Sequence, residues 1–178
     1  MKKVFFSLIP VLMLLFIPPQ LEAKNYKFNI DDTAETMLVR KHKDHKNYKI
    51  VKVISVDKNF DKAMDRGAMC TVADAMFRGI QGSVDPNTQE TVPKLNPMLK
   101  SGLQAYYENK TFFDNFFKKG DFNQFIRRAL TDLPSGTNNV KTKEGTRIVD
   151  IYILNTTALA EYLKQQGLDV QFANKLTL

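Results

Sequence analysis

Hydrophobic positions set the first elements between residues 48 and 80. "YKIVKVISV", Tyr48 to Val56, is rich in β-branched residues with Lys49 and Lys52 interleaved, which predicts a strand with one wetter end. Asp57 follows, and its carboxylate suits the backbone amides of a first helical turn, so a helix is expected from Lys58 or Asn59 to about Ile80. Phe60, Ala63, Met64, Gly67, Ala68, Thr71, Ala75, Met76 and Gly79 recur at steps of three and four and make one stripe. Asp61, Lys62, Asp65, Arg66, Asp74 and Arg78 take the other faces. The stripe is low in bulk, and Gly67 costs helix propensity that alanine would not. Such a helix is built to be covered, with its axis close to a sheet or a second helix.

Elsewhere the period changes several times. In Lys24 to Asn47, Asp31 or Asp32 can cap a short helix through "TAETMLV", and an extended segment fits equally well. "GIQGSVDPNTQETVPKLNP" reads as a loop, with room for a short hairpin. After Pro97 a helical pattern resumes through Phe117, with a break expected at Asn109 to Thr111 and a stop at Gly120 after Lys118 and Lys119. "FNQFIRRAL" and "TRIVDIYILN" both read as strands and are expected to pair as a hairpin across a turn-rich connection. Thr156 or Thr157 caps a final helix with Leu159, Tyr162 and Leu163 inward, and Gly167 with Leu168 has the form of a Schellman ending. "LDVQFANKL" has the makings of a last short strand.

The amino terminus changes the picture from fold to place. Met1, Lys2 and Lys3 precede the apolar run "VFFSLIPVLMLLFI" and then "PPQLEA", the layout of a secretory signal peptide over residues 1–23 with Lys24 as the mature start. The run from Val4 to Ile17 is shorter than the roughly 20 residues of a spanning helix, so no transmembrane segment is expected in the mature chain. A lipid anchor needs a cysteine at the junction, whereas the single cysteine is Cys70, so the export product is read as not lipidated and without an internal disulfide. It is expected in the periplasm or associated with the outer membrane. About 155 residues remain, close to the commonest domain size, divided into a charged segment 24–47 and an α+β domain 48–178.

Removing Lys2, Lys3 and Glu22 takes the formal charge from +7 to about +6. A basic exported chain is expected to meet an envelope protein or an anionic envelope component, such as lipid headgroups or cell-wall polymers, rather than nucleic acid. Arg40, Lys41, Lys43, Lys46 and Lys49 form the candidate anionic-surface patch, with a merely solubilising face as the plainer reading.

Candidate chemistry is sparse. His42 and His45 in "HKDH" are the only histidines, too few for a metal centre and crowded by lysines, so neither metal nor cofactor is expected. Cys70 sits mid-helix among core-like residues and is read as buried and inert rather than nucleophilic. Nucleophile elbows, phosphate loops, dinucleotide fingerprints and zinc-protease helices have no counterpart here. The acidic residues show no distinctive spacing for a carboxylate pair. "FFDNFF" is read as core, with allowance for one exposed phenylalanine.

From about Lys49 to Leu168 the chain resembles the amino-terminal domain of the flagellar T-ring assembly protein and related small envelope lipoproteins. The likeness is carried by "KIVKVISV", "DKAMDRGAMCTVADAMFRGIQG", "FFKKGDFNQFI" and "TRIVDIYILNTTALAEYLKQQGL". It implies a compact α+β domain serving as a periplasmic or outer-membrane assembly part. The lipobox cysteine is absent, and no functional residue carries over because the matched positions are structural. The expectation is therefore a single α+β domain, a small mostly antiparallel sheet covered by two main helices, acting as a non-enzymatic interaction or assembly module. An envelope hydrolase with an unfamiliar site, or a binder of anionic polymer or membrane surface, is the alternative.

Overall fold

The computed structural model describes residues 24–41, 47–84, 89–129 and 139–171. In chain order the elements are β1 (Glu35–Lys41), β2 (Tyr48–Asp57), α1 (Phe60–Ala73), β3 (Ser83–Val84), β4 (Thr91–Val92), α2 (Leu103–Glu108), α3 (Lys110–Lys118), β5 (Ile126–Arg128), β6 (Asn139–Thr142), β7 (Gly145–Asn155) and α4 (Thr156–Gln165). A π turn over Asp74–Arg78 extends α1, and a 3-10 turn over Asp121–Gln124 precedes β5. The main sheet runs β1-β2-β7-β5, with β6 also on β7, and every pairing in it is antiparallel. The chain is an α+β domain, as its pattern predicts. The segment read as a signal peptide, residues 1–23, lies outside the described residues, and so does "HKDH". Among the described residues, no helix is long and apolar enough to cross a membrane.

β2 and β7 pair along their whole length, from Tyr48 with Asn155 to Asp57 with Thr146. Residues opposite one another in a ladder share a face. Val51, Val53 and Ser55 of β2 therefore lie with Tyr152, Asp150 and Ile148 of β7 on one face, and all six are buried. α1 is seated there. A Cβ added to Gly67 would stand 3.2 Å from Ser55 Oγ and 3.3 Å from Val53 Cγ1, so the glycine lets the helix backbone reach the sheet. The approach is fastened by hydroxyls: Ser55 Oγ donates to the Ala63 carbonyl at 2.6 Å and Tyr152 Oη to the Met64 carbonyl at 3.0 Å. From Gly67 to Phe77 every residue is buried, so the cover extends well beyond one stripe.

Aromatic rings fill the space beyond α1. Phe113, Phe116, Phe117 and Phe122 are fully buried, while Phe112 keeps partial exposure. The run "FFDNFF" is core, and none of its phenylalanines is exposed. Phe28 stacks on Phe117 with centroids 3.8 Å apart, and the Tyr26 amide donates to the Lys118 carbonyl at 3.2 Å. The segment ahead of β1 is thereby strapped across the helical layer.

Several local expectations need correction. The helix cap is Asn59, whose side chain accepts from the Lys62 amide at 3.0 Å, whereas Asp57 spends its carboxylate on the amide of Lys58 at 2.6 Å. Of the two forms left open for "TAETMLV" the extended one holds, since pairing with β2 outweighs any isolated helical turn. "FNQFIRRAL" is extended only over Ile126–Arg128, because Phe122 and Phe125 are drawn into the aromatic core through a 3-10 turn. It does pair with β7, but β6 forms the tight hairpin with that strand. The final helix is capped by Asn155, which accepts from the Ala158 amide at 3.0 Å, while Thr156 Oγ1 donates to the Asn47 carbonyl. Its ending is the Schellman pattern expected: the Leu168 amide bonds the Leu163 carbonyl at 3.1 Å, and the Gly167 amide that of Lys164 at 2.9 Å. Within the loop after α1, β3 and β4 form a small hairpin.

Candidate functional site

The sheet has a second face, and it is built from the other parity of the same strands. Ile54 pairs with Val149, Lys52 with Ile151, Ile50 with Ile153 and Val56 with Arg147 across β2 and β7. Glu35 and Met37 of β1, Arg127 of β5 and Val140 of β6 join this face through their partners Ile54, Lys52, Ile153 and Arg147. Ile50 is buried, but Met37, Ile54, Val56, Val149, Ile151 and Ile153 keep partial exposure and Val140 is 47 % exposed. None of these seven belongs to the hydrophobic core or packs against it. Each described α-helix contributes buried side chains to that core, whose sheet residues are on the opposite face.

Strands covered on one side alternate apolar and polar; strands covered on both sides read as nearly continuous apolar runs. β2 and β7 have the second composition and, among the described residues, only the first kind of cover. The edges are guarded instead. The Leu38 amide of β1 donates to the Gln81 carbonyl at 2.8 Å, Ser83 Oγ donates to the Leu38 carbonyl, and the opposite side ends in the short β5 and β6. Among the described residues the face, more than either edge, is left without cover.

Charge on the face is lopsided. Lys52 stands between Met37 and Ile151 in the register, Arg127 faces Ile153 and Arg147 faces Val56, against Glu35 on β1 and Glu144 at the β6–β7 turn. None of the three cations makes an ion pair with a described carboxylate.

The basic patch read from sequence centres on the hairpin joining β1 and β2. Backbone register places Arg40 opposite Ile50 and Lys41 opposite Lys49. Lys43 and Lys46 lie outside the described residues. Arg40, Lys41 and Lys49 thus come together at one end of the sheet, with Arg40 in the row that leads onto the open face. The sequence reading missed that face because it took the mixed run "YKIVKVISV" for a strand with one wet end. The signal for it was present: apolar residues occupy both parities.

At the other end of the sheet a cleft of about 390 Å³, open to solvent, is lined by Thr33, Ala34, Glu35, Ile54, Ser55, Val56, Arg66 and Glu144. Arg66 closes its floor from α1 and is engaged there, donating to the Val56 carbonyl and to Asp32 at 3.3 Å each. Cys70 is buried, and burial pushes its thiol up to about 12, away from the thiolate that nucleophilic chemistry needs. Its Sγ donates to the Asp32 carbonyl at 3.6 Å. Among the described residues, no group of three or more histidine, cysteine or acidic side chains is placed to hold a metal.

Two buried carboxylates face structural partners. Arg128 Nε lies 2.6 Å from Asp150 Oδ2, an ion pair whose angle does not make a hydrogen bond, and Asp150 Oδ1 accepts from the Ile151 amide at 2.8 Å. Asp74, in the π turn, accepts from Thr36 Oγ1 and Arg78, each at 2.8 Å, tying β1 to α1. Burial raises the Asp74 pKa, against the opposing bonds from Arg78 and Thr36. A carboxyl whose folded pKa lies above its unfolded value favours the folded state when protonated, so stability falls as pH rises through the folded pKa. The stability advantage of the protein over Asp74→Asn is expected to be larger at about pH 4 than at about pH 7 in urea titrations. A constant or reversed difference contradicts the assignment.

No protein-family model, curated protein or solved structure matches the chain. The open sheet face has to be interpreted from its own chemistry.

Proposed function

We propose that the protein is an exported interaction or assembly module of the bacterial cell envelope, non-enzymatic, with the open sheet face as its working surface. What supports this reading is that face: six aliphatic or thioether side chains are left partly in water on strands written for cover on both sides. The basic amino-terminal flank and apolar run ahead of Lys24 support export. The resemblance to envelope assembly domains agrees with the same role.

Ile151→Glu tests the docking function without unfolding the domain, because the new carboxylate would sit beside Lys52, its cross-strand neighbour. The isolated variant is expected to melt within a few degrees of the parent. Immobilised parent protein is expected to retain specific envelope proteins from its own cells, and the variant to lose them. Equal retention by parent and variant, or none by either, would remove the docking reading.

A further inference from the structure

An apolar face left partly exposed among the described residues can be closed by a second copy, a lipid surface or another protein, and the charges on this face separate the three. Lys52 is set among Met37, Ile151, Ile50 and Ile54, near the middle of the apolar field, while Arg127 and Arg147 lie on its flanks. A second copy would bring an identical set of cations against the first, with Glu35 and Glu144, both at the cleft end, as the acidic groups on each side. Like charges brought together in a dry interface cost several kcal/mol. Self-association through this face is therefore opposed by its own electrostatics.

A lipid surface fits poorly for a different reason. Proteins that rest on bilayers hold aromatic and long aliphatic side chains at the headgroup level, with cations around them. Here the aromatic residue that register places on the face, Tyr48, lies at its end, and a lysine occupies its interior rather than its rim. Short β-branched side chains in a pleated array suit instead the ridged surface of another helix or sheet. A central cation then requires a carboxylate at the matching point of the partner, since a buried unpaired charge is costly.

We infer that the open face of β1, β2, β7 and β5 docks a protein partner presenting an apolar helix or sheet face with a carboxylate at its centre, paired with Lys52, and carboxylates along its margins, paired with Arg127 and Arg147. This rests on the proposal that the face is a docking surface. It adds the class of partner and the residue that selects it.

The test uses the protein expressed from its full coding chain and purified in the form its cells retain. Two amphipathic helical peptides serve as probes, with the same leucine stripe and either glutamate or lysine on and beside it. The glutamate peptide is expected to bind at least about tenfold more tightly than the lysine peptide. In Lys52→Glu that preference should shrink or invert, with far-ultraviolet circular dichroism unchanged, and Ile151→Glu should weaken the glutamate peptide strongly. Equal affinities, or a preference for the lysine peptide, overturn the charge assignment while leaving the docking surface standing. Sedimentation at about ten micromolar is expected to show a monomer. A dimer dissolved by Ile151→Glu would instead assign the face to a second copy. Co-sedimentation with phosphatidylglycerol vesicles that Ile151→Glu abolishes would assign it to membrane, and either result overturns the inference.

Discussion

Replacing Phe117 by alanine is expected to lower the unfolding free energy by about 3–5 kcal/mol, the range for removing a fully buried phenyl ring from a packed core. Phe117 has no exposed surface and touches rings from three segments. It is stacked on Phe28, lies edge-on to Phe116 with centroids 5.2 Å apart, and meets Phe122 at 5.7 Å. Losing it opens a cavity between α3, the 3-10 turn and the amino-terminal strap, and none of these can close the gap alone. Phe112→Ala serves as the comparison, because that ring is partly in water and its loss leaves a dent rather than a cavity. Urea unfolding should therefore show a midpoint drop several times larger for Phe117→Ala. Limited proteolysis should also open the chain near Phe28 first in that variant. Equal drops for the two substitutions would contradict the packing described.

Gly67→Leu is expected to cost about 2–3 kcal/mol, the upper part of the range for overpacking. Even a Cβ at this position meets Ser55 Oγ and Val53 Cγ1 closer than ordinary van der Waals contact, and leucine adds three carbons beyond it. The helix would have to lift from the sheet, stretching the bonds from Ser55 to Ala63 and from Tyr152 to Met64. Gly67→Ala sets two effects against each other: a gain of about 1 kcal/mol in helix propensity and a crowding of a few tenths of an ångström. Its net effect is expected within about 1 kcal/mol of zero. Adding Val53→Ala to Gly67→Leu should recover part of the loss, since the two sites share one contact. A leucine variant as stable as the parent would show that α1 does not approach the sheet through Gly67.

Much of the inner half of this molecule is legible before any coordinates. The step-of-three-and-four stripe in α1 announces a covered helix, and its lack of bulk announces a close approach. The β-branched run of β7 and the glycine ending of α4 are equally local in origin. The misread pieces have a common cause. Asn59 rather than Asp57 caps α1 because β2 runs one residue longer and the helix enters later. "TAETMLV", open to either form in sequence, is decided as strand by the β2 edge that pairs with it, and "FNQFIRRAL" shortens because two of its phenylalanines are claimed by a core assembled from distant segments.

The candidate site divides along the same line. Residue type alone brought out Arg40, Lys41 and Lys49 as a basic cluster, and register puts them at the end of the β1–β2 hairpin. The open face was not legible, because Ile54, Val149 and Ile151 look identical in sequence to residues destined for the core. What distinguishes them is which side of the sheet the helices take.

The amino-acid sequence by itself determined the α+β class, the major helices and strands, the buried cysteine and the basic character of the chain, since each follows from local period, capping chemistry or composition. Only the tertiary structure decided that, among the described residues, the helices cover one face of β2 and β7 and leave the other partly exposed, with Lys52 set in that apolar field. The physical reason is that a strand's pattern states how much cover it needs, while the packing of the rest of the chain states how much it receives.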